Sequence, residues 1–153
     1  MNFMQIVTFS LNNGEYGIDI SCVQEIMRIS NQITKIPNVP AYVEGMFNLR
    51  GKVVYVVDLK KRFYLEETGR NADSRLLILK LEELMIGIIV DDVSDVLRID
   101  RDSIESFCSE LESISGSVIR GICKMDDRLI LVLDESRLKV DVFQKNDEME
   151  EAV

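Results

Sequence analysis

One block of this chain is written twice. Residues 43–59 read VEGMFNLRGKVVYVVDL, and residues 119–134 read IRGICKMDDRLILVLD. At an offset of 76, Gly45 meets Gly121, Lys52 meets Arg128, Val56 meets Val132 and Asp58 meets Asp134, while the apolar positions between them mostly exchange for other apolar residues. A second pair lies upstream at an offset of 70, where residues 16–29 match residues 86–99. The second copy therefore carries six extra residues between its two blocks. Each copy reads as short strands joined by tight turns, so the duplication points to two small β-barrels packed about a pseudo-two-fold axis with a groove between them. Closure into barrels would also remove exposed strand edges.

The local pattern supplies the elements. Residues 4–11 alternate apolar and polar, Asn13-Gly14 signals a hairpin turn, and residues 16–20 give the return strand. Ser21 is placed to cap a short helix with Val23, Ile26 and Met27 on one face. Ile33 to Ile36 reads as a short strand, and Pro37 and Pro40 break regular structure. Residues 43–49 and 52–57 form the next hairpin with Arg50-Gly51 at its tip, and Asp58 caps a helix from Leu59 to Leu65. In the second copy, residues 75–81 and 84–90 pair as a hairpin, and a helical or turn segment follows over 91–95. Residues 96–99 are read as a strand, and 102–117 as a partly helical loop. A second closing hairpin (118–125 and 128–133) and a helix from Glu135 complete the copy. The expected organisation is a single domain over 1–145, with subdomains of about 5–68 and 74–145 that can exchange a terminal strand. A flexible acidic tail over 146–153 follows.

Composition narrows the chemistry. A net charge of −9 disfavours nucleic acid, which needs a basic field, and Glu66 and Glu67 interrupt the densest basic stretch around Lys60, Lys61 and Arg62. Histidine is absent, which removes the usual general base and zinc ligand. Three cysteines without a C-x-x-C spacing suit reduced thiols in the cytoplasm. No apolar run spans a bilayer and residues 1–4 lack a basic leader, so direct membrane insertion is not expected. Asp58 and Asp134 stand at equivalent positions and suggest a carboxylate dyad, but each also sits where a strand meets a helix and so reads as a cap. Asp91-Asp92 and Asp126-Asp127 lack calcium-loop spacing. Cys22 has no nearby group to activate it. No catalytic residue, cofactor or metal site is expected. Arg50 has two readings: donors offered to a partner's carboxylate or carbonyls, or a brace through an internal pair.

The run from Ile36 to Leu59, with its P-x-x-P, G-x-x-N-L-R-G and V-x-D-L elements in order, resembles the signature of the CheW family of bacterial chemotaxis coupling proteins. Residues 16–26 and 87–97 resemble it too, so the likeness runs from about Gln5 to Lys139. The resemblance implies a mainly β fold of two SH3-like, five-stranded barrels with a few short helices. It implies a non-catalytic adaptor that links chemoreceptor cytoplasmic tips to the regulatory domain of the histidine kinase CheA, at membrane-associated arrays reached through protein contacts. An adaptor of the same build in a motility or developmental pathway is the alternative. By resemblance Val23, Gly45, Asn48 and Arg50 are receptor-coupling positions, and Glu25 and Ile26 contact the kinase. Tyr55 departs from the family, standing where a proline is common.

Overall fold

In a computed structural model that describes residues 2–106 and 118–143, ten strands form two five-stranded sheets. The chain order is β1 (Phe3–Leu11), β2 (Gly14–Asp19), a 3-10 turn (Ile20–Cys22), β3 (Val23–Met27), β4 (Val43–Leu49), β5 (Lys52–Asp58) and α1 (Leu59–Arg62). It continues with β6 (Arg75–Leu81), β7 (Leu84–Val90), β8 (Asp92–Asp100), a second 3-10 turn (Arg101–Ser103), β9 (Ile119–Met125), β10 (Arg128–Leu133) and α2 (Glu135–Phe143). The first sheet runs β8-β1-β2-β10-β9 and the second β3-β6-β7-β5-β4.

The sheets cut across the repeat. Each combines the opening hairpin of one copy with three strands of the other. Each hairpin joins the other copy antiparallel on one side, β1 with β8 and β6 with β3, and parallel on the other: β10 lies beside β2 with Val132 opposite Gly17, and β5 beside β7 with Val56 opposite Gly87. These two parallel pairs map onto each other under the 76 and 70 offsets, so the duplication persists in the register.

Four two-residue hairpin turns repeat the symmetry. Their first central residues, Asn12, Arg50, Glu82 and Asp126, all adopt positive φ between 49° and 60°. That conformation matches the twist of the flanking strands.

Three apolar clusters hold the molecule. The largest lies between the sheets and draws Phe9, Tyr16 and Ile18 from one and Leu77, Leu79 and Ile88 from the other. A smaller cluster sits on each sheet's own concave face. In the second sheet Met27 of β3 and Phe47 of β4, at opposite ends of the strand order, contribute to one such cluster. Leu97 of β8 and Cys123 of β9 do the same in the first. Each sheet therefore curls as a barrel does, but its hydrogen-bond ladder does not close between the end strands.

Several local expectations change. Residues 23–27 form a strand, and the 3-10 turn before them is capped by Asp19, whose carboxylate accepts from Ser21 N–H. The partner that decides this is β6, which lies in the other copy and is invisible to a local reading. At Ile33–Ile36 only one bridge forms, Thr34 to Met46. Helix α1 ends at Arg62 because Tyr64 takes the left-handed conformation. Residues 92–95 belong to β8, where pairing with β1 absorbs a bulge. Of the 102–117 loop, Glu105 bridges to Ile122; residues 107–117 and the tail from 144 lie outside the described residues. Tyr55 is paired on both sides, to Met46 and to Ile86.

Candidate functional site

The β4–β5 turn is built to present a side chain. Leu49 pairs with Lys52, and Arg50 and Gly51 both take positive φ, as a two-residue hairpin of this hand requires. The Asn48 side-chain oxygen accepts from Gly51 N–H at 2.8 Å and closes the turn. Arg50, 67% exposed, forms an ion pair with Glu25 on β3, at the far end of the strand order. An exposed pair of this kind contributes about 0–1 kcal/mol, so its main effect is to aim the guanidinium. Ile26, next to Glu25, is 45% exposed. The structure thus brings Glu25 and Arg50 together, with Ile26 and Asn48 as their chain neighbours.

Val23 and Gly45 behave differently. Val23 is half-buried and packs against the inter-sheet core. Gly45 is buried beneath the Thr34 bridge, with φ +153°. Val23 is thus partly accessible and Gly45 is enclosed.

Three further exposed apolar residues escaped the sequence reading. On β5 the inward Val54 and Val56 are fully buried, and along the outward face Val57 is covered by the first sheet, Tyr55 is half-covered and Val53 stays 50% exposed. On β10 the same gradient runs from Leu133 through Leu131 to Leu129, which is 63% exposed. Val96 of β8 is 49% exposed. Under the two offsets Ile26 corresponds to Val96 and Val53 to Leu129. Each sheet therefore shows water an equivalent pair of aliphatic side chains, and the signal that would have found them is the repeat itself.

Charge distinguishes the two ends. Beside Val96, Asp95 accepts from the Thr8 hydroxyl and from Arg128, and these contacts, the hydroxyl first, hold its carboxyl below the usual range. Arg128 also pairs with Glu15. The second sheet's turn carries Arg50 and Gly51, whereas the first sheet's carries Asp126 and Asp127; a basic residue, Lys52 or Arg128, follows each turn.

The remaining polar candidates serve the fold. One Asp58 carboxylate oxygen accepts from Lys60 N–H at 3.0 Å and Lys61 N–H at 3.3 Å, and Asp134 accepts from Ser136 N–H at 3.1 Å, so both are helix caps. Burial, with Glu135 and Asp19 nearby, pushes the Cys22 thiol up to about 12, which leaves almost no thiolate at neutral pH. Among the described residues no group of three or more metal-ligating side chains converges, and no helix is long and apolar enough to cross a membrane.

Residues 5–141 match the family model described as the CheW-like domain. The chain belongs to the CheW-like family. The chemotaxis protein CheW of Treponema pallidum (strain Nichols) is 36% identical over 138 residues, which cover 88% of this chain and 81% of that protein. That of Bacillus subtilis (strain 168) is 32% identical over 130 residues, covering 85% and 83%. Among solved structures, the scaffolding protein TtCheW from Thermoanaerobacter tengcongensis superposes with a TM-score of 0.76 at 40% identity, over 86% of this chain and 84% of that one.

Proposed function

We propose that this chain is a non-catalytic adaptor that couples chemoreceptor cytoplasmic tips to the histidine kinase CheA at membrane-associated signalling arrays. The observation that carries the reading is the presence on each sheet of an equivalent pair of exposed aliphatic side chains, Ile26 and Val53 on one and Val96 and Leu129 on the other. A molecule that joins partners needs at least two docking faces. Glu25 and Ile26 form the kinase contact, with Ile26 as the apolar anchor and Glu25 setting orientation. Arg50 and Asn48 face the receptor, and Val23 and Gly45 shape the surface beneath them. Each interface is modest, and the array gains strength from many such contacts.

The test is co-sedimentation of the protein with purified CheA and a receptor cytoplasmic fragment. Ile26→Glu is expected to weaken kinase recruitment at least tenfold and to leave receptor binding intact; Arg50→Glu, which also sets a like charge against Glu25, is expected to weaken receptor binding at least tenfold and kinase recruitment by a smaller factor. Both variants should keep the native circular dichroism. Failure of the wild-type protein to form the ternary assembly overturns the proposal. If Arg50→Glu unfolds the protein, Arg50 is a brace and its assignment to the receptor contact fails.

A further inference from the structure

A cavity of about 310 Å³ opens where β3 ends and β6 begins. Three arginines line it: Arg28, Arg70 and Arg75. In a chain of net charge −9 this concentration of positive charge is unexpected. Arg70 is compensated by Glu44, whose carboxylate accepts its guanidinium at 2.6 Å. The other two are not: among the described residues neither Arg28 nor Arg75 has a carboxylate within ion-pair distance.

The register sharpens the point. Met27 pairs with Leu76 at the last rung of the antiparallel β3–β6 ladder, so Arg28 and Arg75 follow immediately beyond it on the two adjoining segments and line the same cavity. Like charges set close together repel. Arg75 is nonetheless held in place, because its Nη1 donates to the carbonyls of Ala72 and Ser74 at 2.8 Å each. That anchoring leaves its remaining donors free. Asn31 and Asn71 add neutral donors to the wall. No aromatic ring lines the cavity, so nothing there would stack a nucleobase. Its volume is close to the small end of small-molecule sites, roughly 300 Å³. Two uncompensated guanidinium groups match the charge of a dianion, and planar guanidinium forks match tetrahedral oxyanions in geometry.

We propose that this cavity is a binding site for a compact phosphate group, either inorganic phosphate or a small phosphomonoester, seated between Arg28 and Arg75. The site would neutralise the two arginines and tie the 28–31 segment to the 70–75 segment. Arg28 lies two residues beyond Ile26, so the site adjoins the proposed kinase contact, but phosphate binding by the free chain does not depend on that contact.

Heteronuclear NMR titration of the full chain tests this, with inorganic phosphate and O-phosphoserine as separate probes and sodium chloride at matched ionic strength as control. Saturating amide shifts confined to residues 28–31 and 70–75 are expected with at least one phosphate probe, and the tighter of the two identifies the source. Arg28→Gln removes an exposed side chain without a partner and so leaves the fold intact; it should weaken the response at least fivefold. Arg28→Gln combined with Arg75→Gln should abolish it. Shifts that fail to saturate, that appear equally with chloride, or that survive Arg28→Gln overturn the proposal.

Discussion

A methyl group added at Gly45 would lie 2.2 Å from the Thr34 carbonyl oxygen, on backbone already at φ +153°. At the equivalent Gly121 the added carbon would lie 2.3 Å from the Glu105 carbonyl oxygen. Both glycines let a crossing segment hydrogen-bond against the strand after them, Thr34 to Met46 and Glu105 to Ile122. Backbone cannot move aside as a flexible side chain can, so Gly45→Ala should destabilise the protein by about 3 kcal/mol. Gly51 has positive φ but open space around it, and Gly51→Ala should cost about 1 kcal/mol. Urea unfolding of the two variants checks the ordering; equal midpoints would show that the Thr34 approach is not what demands glycine. The motif made Gly45 legible as important, but the residue it must avoid lies eleven positions away and emerges only from the fold.

At the scale of elements, a polar pin ties the two sheets together. The Lys60 ammonium, whose side chain is 9% exposed, lies 2.7 Å from one Asp91 oxygen and donates to the Thr68 hydroxyl at 2.8 Å. The other Asp91 oxygen accepts from Asn12 N–H at 2.6 Å, in the β1–β2 turn. The pin thus joins α1, the linker between the copies and the first hairpin. Removing one partner leaves the other charge buried and uncompensated. Asp91→Ala should therefore cost about 3 kcal/mol, while Lys60→Met with Asp91→Leu should recover much of that loss. A double-mutant cycle read by thermal unfolding measures the coupling; additive losses would mean the pair contributes nothing as a pair. In the sequence Lys60 stands in a basic stretch and Asp91 opens a helical or turn segment, and neither position looks buried. What buries them is the packing of one copy's linker over the other's strand end, and local periodicity carries no trace of it.

For the whole molecule, the exchange of opening hairpins is decisive. The β1–β2 hairpin completes a sheet whose other strands come from the second copy, and β6–β7 completes the reverse. Neither half of the repeat holds a complete sheet, and the largest core cluster needs both. Cleavage or separate expression at the linker, near residue 72, should yield two fragments without native far-ultraviolet circular dichroism. Mixing them should restore the spectrum and the dispersed NMR amides of the intact chain. Independent folding of either fragment would sink this account. Each pair of exposed aliphatic side chains comes from one copy, but the sheet that carries it is completed by the opening hairpin of the other.

The amino-acid order alone settled the β class, the duplication, the positions of eight of the ten strands, the helix-capping aspartates and the family. These are legible because alternation, turn chemistry and capping act between residues close together in the chain. Tertiary structure alone decided that residues 23–27 are a strand, that Arg50 meets Glu25, that Lys60 is buried, and which apolar residues remain exposed. Strand β3 pairs with β6 of the other copy, Lys60 meets Asp91 of that copy, and Arg50 reaches Glu25 of its own copy around a sheet whose centre is the inserted β6–β7 hairpin; long-range pairing of that kind leaves no periodic mark on the sequence.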